Sequence, residues 1–338
     1  GFKMNESVEN TIKYYQAEAD FAKNLKGKLG TIAEENLSES EKISKALLLF
    51  VLQEKIDSNT FKTYLNTITN EYAFHLELSR MGNITFQTKK QVIIYLRRLD
   101  DLPKRVDYNI NILKTAIKEG MAQPKAIFNN YEDTYNKHIV TDVTTSAFYK
   151  PFLNLPESFS TLLKDSLVKV AKTSVQKNGI NQYQKIKRFF EDDYFPNTRK
   201  GLGISTLANG TEFYQNRINY FTTSHQYTAD DIHQIGLKEV ARIRAEMQVI
   251  IDDLGYEGRF EDFIEFLRTD DQFYPKTAEE LLLFARDIAK RIDAELHKFF
   301  KTLPRKPYGV VAVPDDLAPN YTGGRYSPSN SDTTAGFY

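Results

Sequence analysis

Apolar residues along this chain recur mostly at spacings of three and four, which predicts helices over most of its length. In "LSESEKISKALLLFVLQEKID", Ser38 and Glu41 form a capping box ahead of an apolar face through Ile43, Leu47, Phe50 and Val51. "TKKQVIIYLRRLDDLP" takes Thr88 as its N-cap and is expected to stop near Pro103, which has no N–H to give the next turn. "LPESFSTLLKDSLVKVAKTS" places Pro156 in a first helical turn, where the missing donor is harmless. "NQYQKIKRFFEDDYFP" runs to Pro196. The clearest pattern is "TADDIHQIGLKEVARIRAEMQVIIDDLG". Thr228 and Asp231 cap it, Ile232, Ile243, Met247, Ile250 and Leu254 share a face, and Gly255 ends it. Thr277 and Glu280 open a last helix that closes before Pro304.

The texture changes after Pro304. Tyr308 to Val313 has the pattern of a short strand, a Pro/Gly/Ser/Asn-rich loop follows, and "AGFY" looks like another strand just beginning. A two-stranded ribbon is marginal by itself, so this element either pairs within the loop or finds partners further on. The pattern thus predicts a mainly α fold, a multi-helical array with a small β element near the C-terminus. It divides into a helical scaffold over 1–304 and a β/loop segment over 305–338, the latter leading into a catalytic region absent from this chain.

Composition narrows function little. The 45 basic and 45 acidic residues cancel, so no nucleic-acid partner is expected. The longest apolar run, Ala46 to Leu52, is far too short to span a bilayer, and no transmembrane segment is expected. With no cysteine, disulfides, thiol catalysis and Cys-type zinc sites are excluded for these residues.

Histidine is the next place to look for chemistry. His75, His138, His225, His233 and His297 include no pair four apart, so HExxH is missing, and all five are expected at the surface or at helix caps. The acidic clusters Glu191–Asp192–Asp193 and Asp270–Asp271 fall at helix ends and are expected to be solvated. Gly201 and Gly203 in "RKGLGIS" follow a helix rather than a strand, a poor match to a phosphate-binding turn. No catalytic residue, metal ligand or cofactor site is therefore expected within the chain. Tyr321, Arg325, Tyr326 and Tyr338 stand apart: they lie among Gly, Ser and Asn, and loops on a rigid scaffold commonly carry function. They are the candidates for contact with a substrate.

The order of several stretches carries a resemblance. "YLRRLDDLP", "NGTEFYQNRINYFTTS", "TADDIHQIGLKEVARIRAEM", "FIEFLRTDDQFYPKTAEELL", "LPRKPYGVVAVPDDLAP" and "SDTTAGFY" follow one another as in the bacterial family called domain of unknown function 885. The resemblance covers the chain from about residue 40 onward. It implies a mostly helical fold like the N-terminal half of a gluzincin-type zinc metallopeptidase. It also implies that the chain continues past Phe337 and Tyr338 into a strand and a helix bearing His-Glu-x-x-Pro-Gly-His-His. Two histidines would hold zinc and the glutamate would activate the bound water. None of those residues occurs here.

The expectation that follows is the N-terminal, non-catalytic portion of a zinc-dependent peptidase. Its partners would be the missing C-terminal catalytic half and a peptide substrate, with zinc bound only in the longer protein. The resemblance also favours the cell envelope or periplasm, with a lipid anchor. This reading predicts an exposed apolar surface where the second half docks. The alternatives are a self-contained helical binding module, with its C-terminal segment paired internally, and a family member that has lost its enzyme.

Overall fold

The computed structural model describes residues 7–69, 72–313, 323–329 and 335–338. Its packing divides between His233 and Gln234 into two compact units. The change of texture after Pro304 instead marks where helix gives way to the β element.

The first unit opens on a helical hairpin, α1 (Val8–Gly30) and α2 (Glu39–Thr60). Ser7 caps the former, and the Ser38–Glu41 box starts the latter as its sequence predicts. Ala19 and Ala22 are wholly buried, and side chains this small let two helices approach closely. A short α3 (Phe74–Leu78) leads to the 30-residue α4 (Lys89–Lys118). Thr88 and Gln91 form the capping box of α4.

Pro103 does not end α4, which continues for four more turns. The stripe Val92, Tyr95, Leu99, Leu102, Val106, Ile110 and Leu113 is buried along its whole length. Burying each such side chain yields about 1.5–3 kcal/mol, so the stripe outweighs the roughly 3 kcal/mol cost of an interior proline. Around this spine pack α5 (Asp133–Asn136) and a long helix that widens twice into π turns. That helix comprises α6 (Thr161–Ser174), a π segment (Val175–Ile180), α7 (Asn181–Arg188) and a second π segment (Phe189–Tyr194).

Ser160 caps α6, so Pro156 lies in the turn before the helix and not in its first turn. The two stretches "TLLKDSLVKVAKTS" and "NQYQKIKRFFEDDY" are continuous because the first π turn joins them. At that turn the Gly179 backbone rests on the Phe148 ring, and the Asn178 amide donates to Asp100 at 2.8 Å and to Ser174 at 3.3 Å. The second π turn brings the adjacent Phe189 and Phe190 into the core together with Tyr194. Helix α8 (Gly210–Thr222) is fastened to α2 by the Arg217 guanidinium, which donates two bonds to Glu54 at 2.9 and 2.7 Å. Phe50 stacks on Tyr220, and Phe61 on Phe213, both at 5.0 Å.

Helix α9 (Ala229–Asp253) opens at the end of the first unit, capped by Thr228, and runs on into the second. Gly255, at φ +66°, follows it in the left-handed region where a glycine is needed. The second unit also holds α10 (Phe260–Thr269), α11 (Ala278–Phe299) and two short strands, β1 (Tyr308–Gly309) and β2 (Gly336–Phe337). Thr277 caps α11 by accepting from the Glu280 N–H at 3.1 Å. The mainly α architecture with a small β element near the C-terminus is as the pattern predicts.

Candidate functional site

The β element pairs within the loop itself. β1 and β2 run parallel with Tyr308 opposite Gly336 and Gly309 opposite Phe337. The Tyr338 N–H donates to Gly309 at 2.8 Å, and the Val311 N–H donates to Tyr338 at 3.0 Å. On its other edge β2 meets Ser327 in an antiparallel bridge, with Phe337 donating to Ser327 at 2.9 Å. The strand at the end of the chain is thus central to a three-part element.

That bridge sets the geometry of the candidate loop residues. With Ser327 opposite Phe337, the register puts Tyr326 opposite Tyr338. Both remain open to solvent, at 59% and 53% exposure. Each phenol lies over a glycine: a Cβ on Gly336 would collide with the Tyr326 hydroxyl, and one on Gly324 with that of Tyr338. A side chain at either glycine would force the phenol over it to shift. Arg325 is exposed on the same segment, one residue before Tyr326. Tyr321 lies outside the described residues. The element is moored to α11: the Arg286 guanidinium donates to the Val310 carbonyl at 3.2 Å, and the Tyr308 hydroxyl to Asp293 at 3.1 Å. Burial, and then the Asp293 carboxylate, raise the Tyr308 phenol above its ordinary range.

The histidines are not all peripheral. His225, His233 and His297 are exposed, but His75 is wholly buried and His138 half-buried. His75 sits in an aromatic box, edge-on to Phe74, Tyr131 and Phe190. The Thr134 hydroxyl donates to the Tyr131 carbonyl at 2.6 Å, so it is left to accept from His75 Nε2 at 2.8 Å. That bond assigns the proton to Nε2. The lone pair on Nδ1 finds no partner among the described residues. Burial, reinforced by the neighbouring His138 and Lys137, depresses His75 to about 3, and burial likewise brings His138 to about 4. The ring of His138 lies 4.4 Å from that of Tyr183. These are core histidines, and the missed signal was the density of aromatics around them.

The acidic clusters are tied into the scaffold. Glu191 pairs with Lys187 at 2.7 Å and accepts from the Tyr135 hydroxyl at 3.2 Å, while Asp193 pairs with Lys114 at 3.0 Å. Asp270 caps the short turn after α10 by accepting from the Gln272 N–H at 3.0 Å. The Gly201–Gly203 loop is organised by Arg199, which donates to both their carbonyls and to the Thr206 hydroxyl. Among the described residues no three of His, Cys, Asp and Glu converge as metal ligands. They do not fit a zinc centre, and no catalytic step is assigned to them. No described helix is long and apolar enough to cross a membrane.

Fold and site together define a mainly helical protein with a small mixed β element that carries two exposed tyrosines in facing register. The chain belongs to the family described as "Bacterial protein of unknown function (DUF885)", which matches residues 5–338. Its fold is shared with a crystal structure from Colwellia psychrerythraea, described as that of a "putative lipoprotein", at 21% identity and a TM-score of 0.83. The match covers 98% of this chain and 59% of the other, so this chain spans about three-fifths of that protein's length. None of the curated proteins matches it.

Proposed function

We propose that residues 1–338 are the helical, non-catalytic part of a zinc-dependent peptidase, in which metal-activated water cleaves a peptide bond at a centre built by further chain. The observation that carries this reading is the composition of the second unit. Among its described residues Ile251 is the single buried large hydrophobic side chain, although its helices are strongly amphipathic. A unit that leaves its apolar faces open is suited to be one wall of something larger.

The peptidase part of the reading comes from the resemblance in the sequence, since the family is described as of unknown function, and the greater length of the solved relative leaves room for a catalytic centre outside the matched part. In this role Arg325, Tyr326 and Tyr338 stand at the edge of the substrate cleft. Paired aromatic side chains on a short β element suit an extended peptide, which they can hold by ring contact. An envelope location, with a lipid anchor, is part of the proposal, supported by the description of the Colwellia protein.

Peptide hydrolysis by the protein expressed from the complete source gene tests the proposal. The expected result is cleavage that chelation abolishes and zinc restores, with no turnover by residues 1–338 alone. Replacing Tyr326 and Tyr338 by alanine is expected to raise KM more than it lowers kcat. A zinc-loaded longer protein that cleaves no peptide sinks the reading.

A further inference from the structure

We propose that the groove between the first turns of α1 and the polar side of α4 binds an acidic peptide segment, laid along α4 from Lys104 to Lys118. The proposal is independent of the peptidase reading, because it concerns retention of a peptide and not its cleavage.

The groove has a volume of about 1570 Å³ and lies wholly within the first unit. With the apolar stripe of α4 turned into the core, Lys104, Tyr108, Asn111, Thr115 and Lys118 follow one another along its other side at spacings of three and four. From Lys104 to Lys118 this row measures ~21 Å, enough for about six residues of extended chain. The facing wall is the start of α1, with Val8, Lys13 and Tyr14. A buried hydroxyl ties the two helices together at the groove. Thr11 donates to the Ser7 carbonyl at 3.1 Å, and so accepts from the Tyr108 hydroxyl at 2.7 Å. The phenol oxygen thereby keeps a lone pair for a peptide N–H.

Charge selects the occupant. Several charged groups of the lining are already paired: Glu9 with Lys13, Asp107 with Lys185, and Lys114 with Asp193. Lys104, Arg105 and Lys118 make no ion pair among the described residues, although Arg105 is half-buried. Against these three cations the lining sets the carboxylate of Asp101, so the groove keeps a positive excess in a chain whose formal net charge is zero. A half-buried guanidinium of this kind is suited to a carboxylate, which it can hold by two parallel bonds. A chain of phosphates would press unbroken negative charge against Asp101 and Glu9. Carboxylates separated by neutral residues fit better. They reach the cations while the peptide backbone meets the Asn111 amide and the Tyr108 oxygen.

Fluorescence anisotropy tests the site, with a labelled octapeptide of alternating Glu and Gly titrated by the 338-residue chain. Saturable binding is expected that weakens as sodium chloride rises from about 50 to 200 mM, and the same peptide with Gln for Glu should not bind. Lys104→Glu, Arg105→Glu and Lys118→Glu should each weaken binding on the order of tenfold, whereas Lys169→Glu, exposed on α6 outside the groove, should not. Asp101→Asn should tighten binding about threefold, a gain that a damaged fold would not give. Equal affinity for the Gln peptide overturns the proposal, and so does the absence of binding at about 1 mM protein. Charge reversals in the groove that act no more strongly than Lys169→Glu overturn it as well. Tighter retention of sodium tripolyphosphate than of the Glu peptide does the same, and would make the groove a phosphate site.

Discussion

The residue that most constrains the behaviour of the first unit is His75. Its folded-state value of about 3 lies well below the ordinary 6.5, so the unfolded chain binds the proton more readily. Stability is then fully present above about pH 6.5 and is lost as pH falls toward the folded value. The loss for His75 is on the order of 1 kcal/mol for each pH unit below about 6. His138, brought to about 4, steepens the same limb. Urea denaturation between pH 7 and pH 4.5 should show this decline, and His75→Leu should flatten it. A profile that His75→Leu leaves unaltered would contradict the assignment of a neutral, buried imidazole. Gly82 is a second sensitive point, because a Cβ there would run into the Ala147 carbonyl, a backbone group that cannot easily yield. Gly82→Ala is expected to cost about 1–3 kcal/mol in the same assay.

At the scale of elements, what the sequence discloses is what neighbouring residues decide. The caps at Ser38, Thr88, Thr228 and Thr277 each depend on a partner three residues away, and all four are found where the pattern places them. Thr88→Ala should therefore cost about 1 kcal/mol by thermal denaturation, the usual penalty for losing an N-cap. Pro103 misleads because the stripe that carries α4 through it is buried by distant segments such as Phe148 and Tyr183. The π turn at Val175–Ile180 was illegible for the same reason: Asn178 finds Asp100 from 78 positions away. Asn178→Ala removes that bond and is expected to cost roughly 1–2 kcal/mol, with α6 and α7 otherwise retained in far-UV circular dichroism. The pairing of β2 with both β1 and Ser327 was likewise hidden. Sequence pattern could mark Phe337 and Tyr338 as strand-like, but Gly309 and Ser327 carry no mark of being their partners. Tyr326 and Tyr338 stood out by composition, and their facing register became visible only in the fold.

At the scale of the molecule, the two units differ in kind. The first holds a continuous aromatic and aliphatic core around α4, from Ile68 to Tyr194. The second presents amphipathic helices whose apolar faces are open and a β element moored to one of them. That contrast is the observation on which the proposed role, a non-catalytic part of a larger enzyme, is built. The most direct measurement of this claim is the zinc content of the protein expressed from the complete source gene, by mass spectrometry, with residues 1–338 measured alongside. About one zinc per longer chain and none in the shorter one is the predicted result. A longer protein that retains no zinc, or a 338-residue chain that binds it stoichiometrically, would contradict the account.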